Sequence, residues 1–287
     1  MARAAANVSR LQFAMRIPER NLRRTDTEYL RVDDMCALSA DEVLLACGDL
    51  RAVWPHTAQL VAHESSAIRD DVLGVAFDAH TDTLLLQLSA PTDDYYLLVS
   101  LRRNASKWLK VQRLGTRVHR SFNIFNFAVC DSRVLLGQWR SDRVNVFEVS
   151  AEHTLRDAGS LTLQSGFNGV ACTRRDGITL VAFSNETSVT LLRLMSFTLR
   201  LVPLASVSLT APHRVLFRED LLLVADWNKA NRTDAIVSFR ASDNALTERR
   251  VLLDAQAGVS VTAWAVAGDR LVLWDYRSKD LRVYAFT

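Results

Sequence analysis

Asp131–Val149 reads DSRVLLGQWRSDRVNVFEV, and Gly268–Phe286 reads GDRLVLWDYRSKDLRVYAF. The two align without a gap. Each opens on a turn, passes through a short apolar run, reaches an aromatic–Arg–Ser tip, and returns with apolar residues at every second position. Alternation of period two marks a strand with one buried face, and two such runs around a short polar tip make a β-hairpin. The same hairpin is therefore written twice, once near the middle of the chain and once at its end.

Outward from this pair the pattern continues. The last apolar residue of each second-strand run falls at Leu45, Leu86, Leu136, Val181, Val224 and Leu273, at intervals between 41 and 50 residues. That period suits a four-stranded blade, and six markers predict six blades. The expected fold is all-β: a six-bladed β-propeller of four-stranded antiparallel blades, a single domain over residues 1–287. The blades fall at about 27–63, 70–114, 121–164, 167–209, 212–253 and 259–286. The last repeat runs out of chain after its third strand, Leu281–Phe286. The alternating segment Leu11-Gln-Phe13-Ala-Met15-Arg-Ile17 has no other place, so residues 8–17 complete that blade and close the ring, removing two open sheet edges. Helical spacing is hardly seen, and the glycine-rich phosphate loops of nucleotide-binding folds are missing. Two separate sandwiches would need a linker near the middle, where Ser150–Ala158 reads instead as a hairpin loop.

Composition narrows the function classes. The 35 Lys and Arg stand against 32 Asp and Glu, for a net charge of +3. So small a basic excess disfavours nucleic acid as a partner. The short basic spots Arg23-Arg24, Arg102-Arg103 and Arg174-Arg175 read as solvated turns, some with acids such as Asp26 and Asp176 beside them. No apolar run approaches the roughly 18 residues of a membrane helix, and Met1–Leu11 lacks the continuous apolar core of a secretory leader. The expectation is a soluble, cytoplasmic protein without a membrane partner. Four Asn-x-Ser/Thr sites, at Asn7, Asn104, Asn185 and Asn231, point mildly the other way. Cys36, Cys47, Cys130 and Cys172 have neither Cys-x-x-Cys spacing nor a His cluster suited to zinc. Three of them lie near the end of a repeat's first strand, in separate blades, which predicts small buried hydrophobes and no mutual disulfides. No cofactor or metal is expected.

The layout of Val170–Leu194 and Asp131–Val149 (first strand, turn, apolar second strand, short polar hairpin, alternating third strand) resembles the divergent WD40-like branch of β-propellers. The resemblance covers most of the chain, with degenerate motifs. The family's Trp-Asp pair at the end of the third strand is replaced by Phe147-Glu148, Leu192-Arg193 and Ala285-Phe286, and its Gly-His pair is not evident. Trp274-Asp275 matches the letters but falls on a second strand. The resemblance implies architecture and leaves activity open, because function on such rings resides in grafted sites.

In a propeller of this layout the second-to-third strand turns and the loops entering each first strand share one face. Three repeats carry an aromatic residue three positions past the marker: Trp139, Trp227 and Tyr276. Each is followed by polar or basic residues: Arg140, Asn228-Lys229 and Arg277. Aromatic plus Arg is the composition of interface hot spots, since a large flat ring and a forked donor bury well at low entropic cost. The alternative is that these rings pack between blades. Loops entering the first strands add Arg120, Phe122, Phe167, Asn168, His213 and Arg214. Asp33, Asp34, Asp70 and Asp71 precede inner strands near the channel, but they come from only two neighbouring blades and read as hydrated turn acids. Neither an Asp-box nor a Gly-x-Ser-x-Gly elbow is found. The expected function is a non-enzymatic interaction scaffold, a monomer or part of a larger complex, that binds a protein or peptide. Trp139, Trp227 and Tyr276 would be anchors, Arg140, Arg277 and Lys229 a basic rim, and Asn228 and His213 would lie beside them. The alternative is a propeller hydrolase or lyase acting on a small molecule or glycan at the channel mouth.

Overall fold

The computed structural model describes residues 10–22, 30–55, 59–61, 72–89, 95–104, 107–117, 125–138, 142–163, 166–195 and 199–287. Among them, 24 strands form six four-stranded antiparallel sheets, and helix is confined to two 3-10 turns. Strand β1 is Leu11–Pro18. Blade 1 holds β2 (Asp34–Ala37), β3 (Val43–Ala46), β4 (Leu50–Trp54) and β5 (Gln59–Val61); blade 2 holds β6 (Val72–Asp78), β7 (Thr83–Ser89), β8 (Tyr95–Asn104) and β9 (Lys107–Arg117). Blade 3 is β10 (Phe125–Cys130), β11 (Arg133–Gln138), β12 (Arg143–Val149) and β13 (Leu155–Thr162); blade 4 is β14 (Gly169–Arg175), β15 (Ile178–Ser184), β16 (Ser188–Met195) and β17 (Arg200–Ser208). Blade 5 is β18 (Pro212–Arg218), β19 (Leu221–Asn228), β20 (Thr233–Ala241) and β21 (Leu246–Leu253), and blade 6 is β22 (Val261–Ala267), β23 (Arg270–Asp275) and β24 (Asp280–Phe286) with β1 as its outer strand. The six-bladed propeller expected from the repeat is what the chain forms.

The register repeats with the sequence. Each marker lies on a second strand opposite an inner-strand residue: Met35↔Leu45, Val75↔Leu86, Phe127↔Leu136, Cys172↔Val181, Val215↔Val224 and Trp264↔Leu273. All six markers are buried. Second strands read as continuous apolar runs because both of their faces are covered. Leu180 and Ala182 pack toward blade 5, against Val215, Leu222 and Val224. Val181 and Phe183, one step out of phase, pack toward blade 3, against Leu135, Val144 and Val146. Outer strands face water on one side and carry charge, as in the Thr247-Glu-Arg-Arg250 run of β21. The tight turn between β14 and β15 is Asp176-Gly177 with φ of 49° and 79°, the left-handed pair that a two-residue hairpin needs.

Two local features fix the ring. Phe167, in the link from blade 3 to blade 4, is buried with its ring laid on Gly137, where a Cβ would come within 1.9 Å of the Phe167 Cζ. Phe167 therefore belongs to the core and not to the loop face expected for it. At the closure, β1 runs antiparallel to β24 from Leu11↔Phe286 to Pro18↔Asp280. The Arg10 and Thr287 backbones exchange hydrogen bonds, Arg16 pairs with Asp280, and Phe13 meets the Tyr284 ring edge-on at 5.6 Å. Leu11 and Ile17 enter the same apolar cluster as Leu281 and Val283. The N-terminal segment closes the last blade, as its alternation predicts.

Candidate functional site

The face on which second strands end carries two groups of side chains. The first sits on the hairpin turns of blades 5 and 6. Asp275 ends β23 fully buried, and its Oδ1 accepts the Ser260 N–H at 3.0 Å and the Arg277 N–H at 3.2 Å. Its Oδ2 accepts the Ser278 hydroxyl at 2.7 Å and pairs with Arg282 at 2.5 Å. One carboxylate thus ties the turn to its own third strand and to the loop entering β22. The next residue, Tyr276, holds its N–H on the Ser260 carbonyl and projects its ring into solvent, 55% exposed.

Blade 5 repeats the device. Asp226 is buried and accepts the Thr210 and Ala211 N–H groups at 3.3 and 2.8 Å, and Trp227 N–H bonds the Ala211 carbonyl. Trp227 is half-buried at the end of β19, opposite Asp234. Asn228 caps the turn by accepting from Ala230 and Asn231 N–H, leaving Lys229 exposed. Arg277 Nη1 reaches the Asn231 carbonyl at 3.4 Å, which joins the two turns into one surface.

His213 stands at a β-bulge in β18, where the register skips between Pro212 and Arg214. The bulge re-aims its ring, and Nε2 lies 2.7 Å from Oδ1 of the fully buried Asp234. Asp234 Oδ2 in turn accepts the Val261 N–H at 2.7 Å from blade 6. His213 is thereby a strut between blades 5 and 6, with about a third of its side chain at the surface.

The second group is at the mouth of the central channel. The six inner strands enclose a cavity of about 280 Å³. Asp34 of blade 1 and Arg214 of blade 5 face each other there, Oδ1 to Nη1 at 3.8 Å, while Arg214 Nη2 donates to the Asp33 carbonyl at 3.3 Å. The Val75 N–H adds a bond to Asp34 Oδ2 at 3.2 Å. Burial raises the Asp34 carboxyl from 3.8 to about 6; Arg214 and the Val75 bond oppose the shift without cancelling it. Gly169 completes the mouth: a Cβ there would approach the His213 carbonyl to 2.7 Å, so blades 4 and 5 touch backbone to backbone. Among the described residues no three His, Cys, Asp or Glu side chains converge as metal ligands.

The structure thus gathers Trp227, Asn228, Lys229, Tyr276, Arg277 and His213 on adjoining turns and strand ends of two neighbouring blades. Trp139 and Arg140 lie outside the described residues, as do Arg120, Phe122, Asp70 and Asp71. Asn168 donates to the Pro212 carbonyl at 3.4 Å and so bridges blades 4 and 5. Three acids that matter here were not expected at the site: Asp226 and Asp234, which the sequence reading passed over, and Asp275, which it noted only as part of the Trp274-Asp275 pair. A usable signal was present for two of them, since Asp226-Trp227 and Asp275-Tyr276 place an acid before the aromatic at the same step past the marker.

No protein-family model matches the chain, and no curated protein matches it. Solved structures do. A chain of the mitotic checkpoint complex is similar with a TM-score of 0.54 at 13% identity, over 99% of this chain and 95% of that one. A functionally unknown protein from Desulfotomaculum acetoxidans has a TM-score of 0.59 at 14% identity, over 88% and 82%. A chain of a nidogen/laminin complex has a TM-score of 0.56 at 13% identity, over 85% and 89%. Two of the three were solved within protein complexes. What all of them share with this chain is the fold, a β-propeller.

Proposed function

We propose that this propeller is a non-enzymatic interaction scaffold that docks a protein or peptide on the loop face of blades 5 and 6. The observation that carries the reading is Tyr276: a large ring left in solvent on a turn that a buried carboxylate already holds rigid. A preorganised aromatic loses little conformational freedom when a partner covers it, so more of its burial energy goes to affinity. Trp227 extends the apolar patch, and Arg277 and Lys229 supply a basic rim suited to acidic groups. Likeness to propellers solved within complexes supports a protein partner in general. A cytoplasmic location, as a monomer or within a larger assembly, completes the proposal.

The test is affinity capture with the full chain, comparing wild type with Tyr276→Ala/Arg277→Ala and with Arg175→Ala on the opposite face. Loss of the same partner in the double variant only, with melting temperature held within about 1 °C, is the expected result. Capture that survives the double variant refutes the proposed face.

A second reading has one specific observation behind it. Asp34, raised to about 6 beside Arg214 at the channel mouth, is a carboxyl able to give or take a proton near neutrality. That would suit a small-molecule enzyme at the channel mouth, and Asp34→Asn would then abolish turnover while leaving partner capture intact.

A further inference from the structure

Neighbouring blades make separation in sequence a poor guide to separation in space. Cys130 closes β10 in blade 3, and Cys172 sits midway along β14 in blade 4. These inner strands pack side by side around the channel; Cys172 and Ala128, two residues before Cys130 on β10, pack on the same apolar cluster at their junction, and the Cys130 thiol influences that of Cys172. All four cysteines are free thiols; blades 3 and 4 are neighbours, so lying in separate repeats does not by itself hold this pair apart. A second contact fixes the alignment. Arg174, two residues beyond Cys172 and on the same side of β14, pairs with Asp131, the residue after Cys130.

We propose that Cys130 and Cys172 are a redox-responsive dithiol that closes into a disulfide across the junction of blades 3 and 4. Both side chains are half-buried and both are free thiols. Cys172 also lines the channel, which gives a small oxidant a way in. The other two cysteines have different surroundings. Cys47 donates its S–H to Asp49 Oδ1 at 3.2 Å, and Cys36 sits in blade 1 beside Asp34.

The chemistry balances with a peroxide as the named oxidant. One thiolate sulfur attacks a peroxide oxygen, the O–O bond breaks, and a sulfenic acid and one water result. The second thiol then attacks that sulfur, forming the S–S bond and releasing the hydroxyl as a second water. Overall two thiols and one hydrogen peroxide give one disulfide and two waters. Closure requires an S–S bond of about 2.05 Å, formed across the junction of the two sheets. Burial, the neighbouring Cys130 and the Asp78 charge all hold the Cys172 thiol well above its ordinary value. The resting pair is thus protonated and slow to react, so it answers sustained oxidant and ignores brief exposure.

The full chain is treated with hydrogen peroxide, blocked with iodoacetamide under denaturing conditions, digested with trypsin and mapped by mass spectrometry. The expected product is one linked pair of peptides, 121–133 with 157–174, that dithiothreitol separates, with Cys36 and Cys47 still alkylated. Closing a loop of this length should raise the melting temperature by about 5 °C. Cys130→Ser and Cys172→Ser should each match the reduced wild type and show no rise. Retention of all four thiols, a link to Cys36, Cys47 or a second molecule, or oxidation of either cysteine to sulfinic acid in place of the link overturns the proposal. The peptide map is read on the wild type, so a poorly folding Ser variant does not obscure the answer.

Discussion

At the scale of single residues, the positions that matter most are those where neither side nor medium can give way. Gly137 supports the Phe167 ring with no room for a methyl group, so Gly137→Ala must displace that ring or the second strand under it. We expect a loss of about 2–4 kcal/mol in urea unfolding, at the high end for overpacking because the clash is with a fully buried aromatic. Asp34 is strained electrostatically. Its folded carboxyl titrates near 6 against 3.8 when unfolded, so the folded state holds the proton more tightly. Stability is therefore greatest below the lower value, falls as pH rises from about 4 to 6, and is level above that. Asp34→Asn should flatten this part of the stability–pH curve, read by thermal melts between pH 4 and 7.5. An unchanged slope would mean the channel mouth is far wetter than its geometry indicates.

At the scale of elements, buried acids organise the turns. Asp275 satisfies two N–H groups and a hydroxyl, and it holds Arg282. Asp275→Ala leaves those donors and a half-buried guanidinium without their acceptor, and should cost about 3–5 kcal/mol. Loss of partner capture at Tyr276 would follow as a secondary effect, visible as broadened turn resonances. These acids were hard to see beforehand because an Asp next to a turn is ordinary; only its repetition before an aromatic in two blades sets it apart. Strands were easier. Second strands announce themselves by runs such as Leu221-Leu-Leu-Val-Ala225, whose two faces each meet another blade. His213 and Asp234 lie 21 residues apart on different strands, and only the bulge in β18 turns one toward the other. No spacing rule predicts that.

At the scale of the whole molecule, the period of the repeat and the orphan strand at the N-terminus were enough to read blade number and closure. What crosses between blades was not readable. Asp34 with Arg214 and Cys130 with Cys172 join residues from different repeats, and their pairing depends on how strands stagger around the channel, which has no counterpart in the period. Closure makes its own prediction. A chain beginning at Arg20 lacks β1, exposes the edge of β24, and should aggregate or melt far below the full chain; equal stability would remove β1 from the structural core.

The pairing of β1 with β24 also orders events in time. Leu11–Pro18 is synthesised before every other strand of the propeller and meets its neighbour last, since Asp280–Phe286 must be made before the seam can form. Until β24 is made the nascent chain carries an unsatisfied strand that other polypeptides, or another copy's blade 6, can capture. Joining residues 10 and 287 through a short linker and cutting between blades 3 and 4 would let every blade mature in order, and such a permutant should refold faster and with fewer swapped dimers.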